Sequence, residues 1–339
     1  MIVVFVLLAL IILMVLITVH EFGHYLAGKA LGFKINEFSI GFGKAIFSKT
    51  KKNGEKFSIR IIPLGGYCAF DGEDEKETSP DSFNAQKPWK RLIVQIAGGL
   101  FNILFGILLC AILLWSIGYD IKKVATVEEN PYGSYLEAGD VIRSVNGERV
   151  SILNGNFLNE LLAKYSDGDT VELGITRNGQ DMKISQQVYE KTNEDGSKTT
   201  VLGITITNYR HGFFEGLGRS FEVSLGMAQQ VLISFGQLIT GKLSIRNLSG
   251  PIGTIGQVAS LAQQSISYVL ILLPLLSINL GVFNLLPIPA LDGGRVVFTL
   301  IEIIFRKPVP RQIEAKIHFV GIILLLALVI FVDLFNIIV

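Results

Sequence analysis

The chain has 339 residues, of which 50% are hydrophobic and only 17% are charged. So apolar a composition is unusual for a soluble globular protein and is typical of a chain with several transmembrane helices. The net charge of +1 provides no bulk positive field, so nothing in the composition supports nucleic-acid binding. Cys68 and Cys110 are too few and too far apart for a disulfide framework or a Cys/His zinc site.

The first element is an apolar segment from Ile2 to Val19, in which Thr18 is the only polar residue. A helix needs about 20 apolar residues to cross a bilayer, and this segment with its continuation meets that length. It lacks the basic start and the small-residue cleavage site of a signal peptide. We therefore predict a retained transmembrane helix.

A metalloprotease signature, His20-Glu21-Phe22-Gly23-His24, follows this segment without a break. On a helix, His20 and His24 share one face, where two imidazoles can bind one Zn²⁺. Glu21 is then placed to take a proton from a water molecule that the metal activates. The alternative is a pair of helix histidines that only pack against neighbouring helices, but ionisable groups inside a span are costly and usually functional.

Residues 34–70 are predicted to form a β-hairpin or small sheet, because residues 38–40 and 57–61 alternate on either side of a turn signal at residues 52–54. We expect it to end in the segment of residues 63–67, which contains Gly65 and Gly66. The sheet is either an ordinary cytoplasmic subdomain or an edge that pairs with an extended substrate, and the residues leave both open. The acidic stretch from Asp71 to Glu77 is interpreted as a solvated loop.

Three further spans are predicted at residues 92–117, about 268–286 and 319–339. Lys and Arg residues concentrate between the first two spans and again between the last two. The positive-inside rule then places both of these loops in the cytoplasm, and the termini and the long central loop outside. The His motif would lie toward the cytoplasmic end of its span.

The central loop, residues 121–208, has the length of one small domain and contains strand-like runs such as residues 171–176. Residues 209–266 follow, and the stretch of residues 212–240 reads as one or two amphipathic helices at the outer membrane interface. His211 is interpreted as a surface or interfacial residue, and His318 as a helix-end residue of the last span.

Catalytic zinc normally has three protein ligands and one open position, and Asp292 is the best candidate for the third ligand. It is the only acid between Glu222 and Glu302, and it directly follows the third apolar span. Pro287 and Pro289 prevent a regular helix there, and irregular backbone at membrane depth must be buried in protein or line a wet cavity. On local grounds, Asp292 could instead merely cap the helix that follows it.

Taken together, the two motifs resemble the site-2 protease family of intramembrane zinc metalloproteases, in its bacterial PDZ-containing branch. Members share His-Glu-x-x-His in the first span and Asn-x-x-Pro-x-Pro-x-Leu-Asp-Gly in a later one. The matching positions are His20, Glu21, His24, Asn284, Pro287, Pro289, Leu291, Asp292 and Gly293. Residues 83–91 and 248–253 also look like the family's segments before its second and third spans.

The resemblance implies a polytopic α-helical membrane protein with four transmembrane helices, a membrane-associated β-hairpin and one extracytoplasmic PDZ-like α+β domain. The predicted parts are an N-terminal membrane part with the zinc motif (1–118), the PDZ-like domain (121–208), an amphipathic helical linker (209–266) and a C-terminal membrane part (267–339). The PDZ resemblance rests on Gly139-Asp140-x-Ile142 and Val145-Asn146-Gly147.

Two departures from the family pattern stand out. Gly99 occupies a position where many members carry Pro, and residues 131–136 are a residue shorter than the usual PDZ segment and lack its Ala-Gly-Leu. The second departure favours size filtering of substrate ectodomains over capture of peptide C-termini as the role of the PDZ-like domain.

The predicted function is an intramembrane zinc endopeptidase with one Zn²⁺ held by His20, His24 and Asp292, and with Glu21 as the catalytic base. Asn284 is predicted to bind substrate backbone or the developing oxyanion. The remaining predicted substrate-binding residues are Pro287, Pro289, Gly65 and Gly66.

By resemblance, the substrates are single-span membrane proteins, such as anti-sigma factors or signal-peptide remnants, already cut outside by an upstream site-1-type protease. The implied location is the bacterial cytoplasmic membrane, with no nucleic-acid partner. The alternatives are a non-catalytic PDZ-bearing membrane scaffold and a metal transporter, whose ligands would be spread along a pathway.

Overall fold

The computed structural model describes residues 2–73, 82–118, 121–150, 157–193, 196–242 and 248–338. The chain divides into two compact units, one of Met1–Gly106 with Val231–Val339 and one of Ile107–Gln230. The helices are α1 (Ile2–Ala30), α2 (Pro88–Ser116), α3 (Leu158–Leu162), α4 (Phe213–Ile239), α5 (Pro251–Gln264), α6 (Ile266–Leu285), α7 (Asp292–Phe305) and α8 (Arg311–Ile338). The strands are β1 (Ile35–Thr50), β2 (Lys56–Phe70), β3 (Lys122–Val127), β4 (Val141–Val145), β5 (Glu148–Arg149), β6 (Thr170–Arg177), β7 (Gln180–Gln187), β8 (Tyr189–Thr192), β9 (Lys198–Val201) and β10 (Ile204–Asn208).

Four of these helices, α1, α2, α6 and α8, are long and apolar enough to cross a membrane. They coincide with the four predicted spans. Helix α1 continues through the His motif as one helix and ends just before Gly32, whose φ of +79° is the left-handed conformation that commonly terminates helices. Helix α8 begins at Arg311, eight residues before the predicted start, because its polar first turns continue the same helix.

Close approach at glycines packs α1, α2 and α6 together in the first unit. A Cβ added to Gly23 of α1 would lie 2.5 Å from the carbonyl oxygen of Ala97 in α2. A Cβ on Gly99 would lie 2.8 Å from the carbonyl oxygen of Gly281 in α6. Small residues of this kind let transmembrane helices pack backbone to backbone, which brings residues of all three helices to one place.

Strands β1 and β2 form the predicted hairpin, an antiparallel pair joined by a turn at residues 52–54. The expectation that the sheet ends within residues 63–67 is wrong, because β2 continues to Phe70. Gly66 pairs with Ile40 and Tyr67 pairs with Ser39, so the glycine-containing segment is a strand and not its end. Repeated register shifts bend this long hairpin.

A polar cluster inside the hairpin holds its two strands in register. Arg60 of β2 donates to Glu37 of β1 at 2.8 Å, and Ser58 donates to the same carboxylate. Burial by itself would raise the pKa of Glu37, but the hydrogen bonds from Ser58 and Arg60 outweigh burial and lower the pKa below its usual value. Glu37 is therefore a charged partner for Arg60 at neutral pH.

The second unit contains the central domain, residues 121–208. Its main sheet has the strand order β10-β3-β4-β6-β7, with β5 paired to β4, and the neighbouring strands are antiparallel. Strands β8 and β9 form a separate ribbon. The core contains the fully buried side chains Ile142, Leu173 and Ile175. This is a compact α+β domain at the predicted position.

Asp140, in the predicted Gly139-Asp140 signature, has a structural role in that domain. Its buried carboxylate accepts from Arg177 at 2.7 Å and from the backbone N–H of Glu137 at 2.9 Å. Burial would raise the pKa of Asp140, but these hydrogen bonds outweigh it and lower the pKa. The ion pair fixes the turn that enters β4.

The buried carboxylate of Asp333, near the end of α8, caps helix α5. It accepts from the backbone N–H groups of Ile252 at 3.2 Å and Gly253 at 3.1 Å, which belong to the first turn of α5. A Cβ on Gly250 would lie 2.5 Å from the Asp333 carboxylate, so glycine is required there. An acid within the last apolar helix thus satisfies the amides of a helix start far away in sequence.

Candidate metal centre

The two histidines of α1 face the same point, as their spacing predicts. The Nε2 atoms of His20 and His24 are 3.2 Å apart, and the rings meet edge to face with centroids 4.8 Å apart. Their side chains are only 9% and 12% exposed. Two imidazole nitrogens therefore converge in an almost buried space.

Asp292 completes this group from the first turn of α7. Its Oδ2 atom lies 2.9 Å from His20 Nε2 and 3.2 Å from His24 Nε2. The alternative that Asp292 serves only as a helix cap is not observed, because the N-cap residue is Leu291 and Asp292 itself is the first residue of the helix. The structure thus brings the carboxylate to both imidazoles, although Asp292 lies 268 residues after His24 and 272 after His20.

Three donor atoms of this kind fit a zinc ion. Zinc prefers imidazole nitrogen and carboxylate oxygen at about 2.0–2.2 Å in a tetrahedral arrangement, which separates neighbouring ligand atoms by roughly 3.3 Å. The observed separations of 2.9–3.2 Å are close to that value. Within the described ranges, no other group of three or more His, Cys, Asp or Glu side chains converges in this way.

The ring of His24 is oriented by α2. Its Nδ1 lies 2.7 Å from the backbone carbonyl oxygen of Val94, which can only accept, so Nδ1 carries the proton and donates. The lone pair of His24 is therefore on Nε2, the atom that faces Asp292. Metal-binding histidines commonly use a backbone carbonyl in this manner.

Glu21 is held beside the histidines by the hairpin. Its Oε2 accepts from the backbone N–H of Cys68 in β2 at 3.0 Å. The sequence does not indicate this contact, because a backbone N–H donor is common to every residue except proline. Burial, reinforced by the Glu21 carboxylate, raises the pKa of the Cys68 thiol, so the thiol stays neutral next to this site.

Gly98 of α2 lies against both metal-ligand candidates. A Cβ at this position would be 2.3 Å from His24 Nε2 and 2.8 Å from His20 Cε1. The sequence contained a signal, the Gly98-Gly99 pair inside an apolar span, but its meaning depends on how α2 crosses α1. Gly98 therefore provides the space that the two imidazoles occupy.

Asn284, the predicted substrate-binding residue of α6, is also brought to the site. Its Nδ2 lies 3.5 Å from His20 Nδ1, and its side chain is partly exposed. Pro287 and Pro289 follow in the irregular segment between α6 and α7. A Cβ on Gly293 would lie 2.0 Å from the carbonyl oxygen of Leu286, so this segment folds tightly onto the start of α7.

Gly65 and Gly66 lie in β2, and the structure gives a packing reason for each. Gly65 has φ +139°, and a Cβ there would lie 2.8 Å from the ring of Phe42. A Cβ on Gly66 would lie 2.5 Å from the carbonyl oxygen of Ser39 in the opposite strand. Their part in substrate binding stays a prediction.

The segment before Asp292 is also held by α8. His318 accepts at Nδ1 from the backbone N–H of Ala290 at 3.1 Å, and Ala290 has the left-handed φ of +86°. A Cβ on Gly321 would lie 2.5 Å from Pro289. The expectation that His318 is a helix-end residue is therefore incomplete, because His318 lies inside α8 and contacts the segment that precedes Asp292.

The interpretations of His211 and of the acidic stretch also need correction. His211 is buried, with Nδ1 3.3 Å from Glu215, and is not a surface residue. Glu73 is not simply solvated, because it forms an ion pair with Arg295 of α7. Residues 74–77 of that stretch lie outside the described part of the chain. These partners are distant in sequence or adopt orientations that composition does not predict.

Two buried polar contacts join α7 to α2. Arg91 is 2% exposed and donates to Glu302 at 2.6 Å. One turn later in α2 and one turn earlier in α7, Thr299 donates to Gln95 at 2.8 Å. These contacts fix the helix that carries Asp292.

Comparison with known proteins gives matches over nearly the whole chain. The model of peptidase family M50 matches residues 8–328. A protein of Helicobacter pylori named as a candidate zinc metalloprotease is 32% identical over 349 residues, with 97% of each chain covered. A Clostridium perfringens protein named in the same way is 30% identical over 337 residues, with 98% of each chain covered. The zinc metalloprotease RasP of Geobacillus kaustophilus is 28% identical over 400 residues, with 94% of each chain covered.

Among solved structures, the PDZ domain of an SdrC-like protein from Listeria monocytogenes is similar to 27% of this chain and to 92% of its own chain, at 22% identity and a TM-score of 0.22. The PDZ domain of an SdrC-like protein from Listeria innocua is similar to 27% of this chain and to 100% of its own, at the same identity and TM-score.

Apolar helices of transmembrane length, with a His-Glu-x-x-His site that meets a distant carboxylate, define a membrane metalloprotease. The chain belongs to peptidase family M50, the site-2 proteases. Zinc is the cofactor of this family, and the predicted family, enzyme class and cofactor are confirmed. The protein is thus an intramembrane protease that works on membrane substrates in a lipid setting.

Proposed function

We propose that His20, His24 and Asp292 are the zinc ligands of this protease and that Glu21 is its catalytic base. The observation that carries the proposal is the convergence of three donor atoms within 3.2 Å of one another, with a fixed glutamate next to them in sequence. Ligands spread along a transport pathway would not meet in this way. The donors come from two helices, α1 and α7.

When bound, Zn²⁺ polarises the scissile carbonyl and makes water nucleophilic near neutral pH. Glu21 accepts the proton of the attacking water and later delivers it to the leaving amine. The Cys68 amide holds the Oε2 atom of Glu21, which leaves Oε1 to take the proton. The hairpin therefore positions the catalytic base, Glu21, through the backbone of Cys68.

Asn284 supplies an amide next to the metal centre. As negative charge develops on the carbonyl oxygen of the substrate, the Nδ2 group of Asn284 donates a hydrogen bond to it. Pro287 and Pro289 keep the neighbouring backbone out of a helix, so substrate can approach it. Gly65 and Gly66 lie in the strand to which an extended substrate segment adds.

The substrates are transmembrane segments of single-span membrane proteins, of the anti-sigma factor or signal-peptide-remnant kind, after a first cut by an upstream extracytoplasmic protease. A helical substrate must unwind locally, because the peptide groups of a helix are hydrogen-bonded within it. The Lys and Arg distribution supports a site toward the cytoplasmic side of the bacterial cytoplasmic membrane, with both termini and the central domain outside. There, that PDZ-like domain filters substrates by the size of their ectodomains.

The decisive test uses Glu21→Gln in detergent-purified full-length protein with a model transmembrane substrate. This variant should keep one zinc per chain and lose cleavage, because the amide binds like the carboxylate but takes up no proton. His24→Ala should lose the zinc itself. Glu172→Gln, the same change on an exposed side chain of β6, is the control and should cleave normally.

Cleavage by Glu21→Gln would show that another group is the base. A well-folded wild-type protein that contains no zinc would contradict the ligand set and support the non-catalytic scaffold.

A further inference from the structure

We propose that Asn102 is a positioning residue that fixes the tautomer and orientation of His20 by accepting a hydrogen bond from its Nδ1–H group. This inference rests on the proposed ligand set, in which His20 binds zinc through Nε2. It gives a role to the residue of α2 that lies one helical turn after Gly98.

The first observation is an unsatisfied oxygen inside the protein. Asn102 is completely buried, and its Oδ1 has no hydrogen-bond partner among the residues that the structure describes. Its Nδ2 lies 3.4 Å from His20 Nδ1. Buried polar atoms are nearly always paired, so the orphaned oxygen needs an explanation.

The second observation concerns the proton of His20. A neutral imidazole whose Nε2 binds a metal carries its proton on Nδ1 and requires an acceptor there. The Nδ2 of an amide is a donor and cannot fill that role. A half-turn of the Asn102 amide about its Cβ–Cγ bond exchanges two atoms of nearly equal size, and it brings Oδ1 to Nδ1. One rotation thus gives the orphaned oxygen a donor and the imidazole an acceptor.

His24 provides a parallel within the same site. Its Nδ1–H donates to the backbone carbonyl oxygen of Val94, which also belongs to α2. With Asn102 as the acceptor for His20, both imidazoles of α1 have their second nitrogen held by α2. On α2, Val94 lies opposite His24 and Asn102 lies opposite His20.

Asn102 is itself well fixed. Its backbone carbonyl oxygen accepts from Ser277 of α6 at 2.7 Å, and a Cβ on Gly281 would lie 3.1 Å from the Asn102 Cβ. The side chain therefore stands in a narrow space between α2 and α6. A fixed acceptor orients a ring better than a mobile one.

This arrangement separates the roles of two asparagines. Asn284 Nδ2 is also near His20 Nδ1, at 3.5 Å. Once Nδ1 carries a proton, it cannot accept from Asn284. The partly exposed amide of Asn284 then keeps its donors for substrate, while the buried Asn102 serves the metal ligand.

The test measures zinc affinity of full-length protein in detergent by competition with a chelator. Asn102→Leu removes the acceptor at similar volume and should weaken zinc binding by about 10- to 100-fold, the usual effect of losing such a partner. Asn102→Asp offers only acceptor oxygens and should keep wild-type affinity. Leu104→Ala changes an exposed side chain of the same helix and is the control, with affinity unchanged.

Rescue by Asn102→Asp is the result that a merely structural role would not produce. Wild-type affinity in Asn102→Leu, or equal loss in both Asn102 variants, would overturn the inference. If Asn102→Leu does not fold, Asn102→Asp decides alone, since retained zinc supports the acceptor role and lost zinc overturns it. Absence of zinc from the wild-type protein would overturn the ligand set and this role with it, whereas tight zinc in every variant overturns only the role of Asn102.

Discussion

Replacing Gly98 by alanine should weaken zinc binding, because the added methyl group takes the space of the imidazoles. The new Cβ would lie 2.3 Å from His24 Nε2, 2.7 Å from His24 Cε1 and 2.8 Å from His20 Cε1. To reach ordinary van der Waals contact, the His24 ring must retreat by about 1 Å or more. The two helices cannot move closer together or rearrange to make room for the methyl group, since α1 and α2 already touch at Gly23 and Ala97.

The magnitude follows from the tolerance of metal ligation. Distances in a zinc site hold within about 0.2 Å, so a shift of about 1 Å exceeds the tolerance several-fold. Overpacking a well-packed site costs about 1–3 kcal/mol. If this cost destabilises the zinc-bound protein and not the zinc-free protein, the affinity for zinc decreases by about 5- to 150-fold.

Zinc affinity, measured by chelator competition, and cleavage of a model substrate would both be followed in Gly98→Ala. Gly236→Ala is the matched control, because Gly236 is also helical and a Cβ there meets nothing within 4 Å. Both variants add the same methyl group to a helix. Any difference between them in zinc affinity or cleavage is therefore caused by the position of Gly98 beside the two histidines. Wild-type zinc affinity in Gly98→Ala would refute the packing argument.

Two further variants test the supports around the site by thermal unfolding in detergent. Asp333→Ala leaves the first amides of α5 without their acceptor and should lower the free energy of unfolding by about 1–3 kcal/mol. Zinc content should stay at one per chain, and an unchanged Tm would contradict the capping role. Arg91→Met leaves the Glu302 carboxylate without its partner and should cost about 3–5 kcal/mol. Adding Glu302→Leu should recover most of that loss, and a double variant no more stable than Arg91→Met would show that the pair itself is not the cause.

Much of the membrane architecture could be predicted because it depends on local patterns. Runs of apolar residues give the spans, and the spacing of His20 and His24 alone puts them on one helix face. Asp292 could be predicted as their partner because acids are so scarce in the apolar half of the chain. The alternating pattern of residues 38–40 and 57–61 likewise predicted the hairpin, although its second strand runs past the expected end to Phe70.

The surroundings of the candidate metal centre could not be predicted in this way. The hydrogen bond from Cys68 to Glu21 uses a backbone N–H, which every residue except proline has. The need for glycine at position 98 depends on the distance at which α2 crosses α1. The cap that Asp333 provides for α5 joins residues 80 positions apart.

The amino-acid sequence by itself determined which segments are long and apolar enough to cross the membrane, which side chains are candidates to bind zinc and which glutamate stands beside them. These properties follow from hydrophobicity, helical periodicity and ligand chemistry, all of which act within a few residues. Only the tertiary structure decided what surrounds each imidazole, what holds Glu21 and why Asn102 is buried between two helices. Those contacts depend on interhelical distances and on backbone atoms, and neither is encoded in any short stretch of the chain.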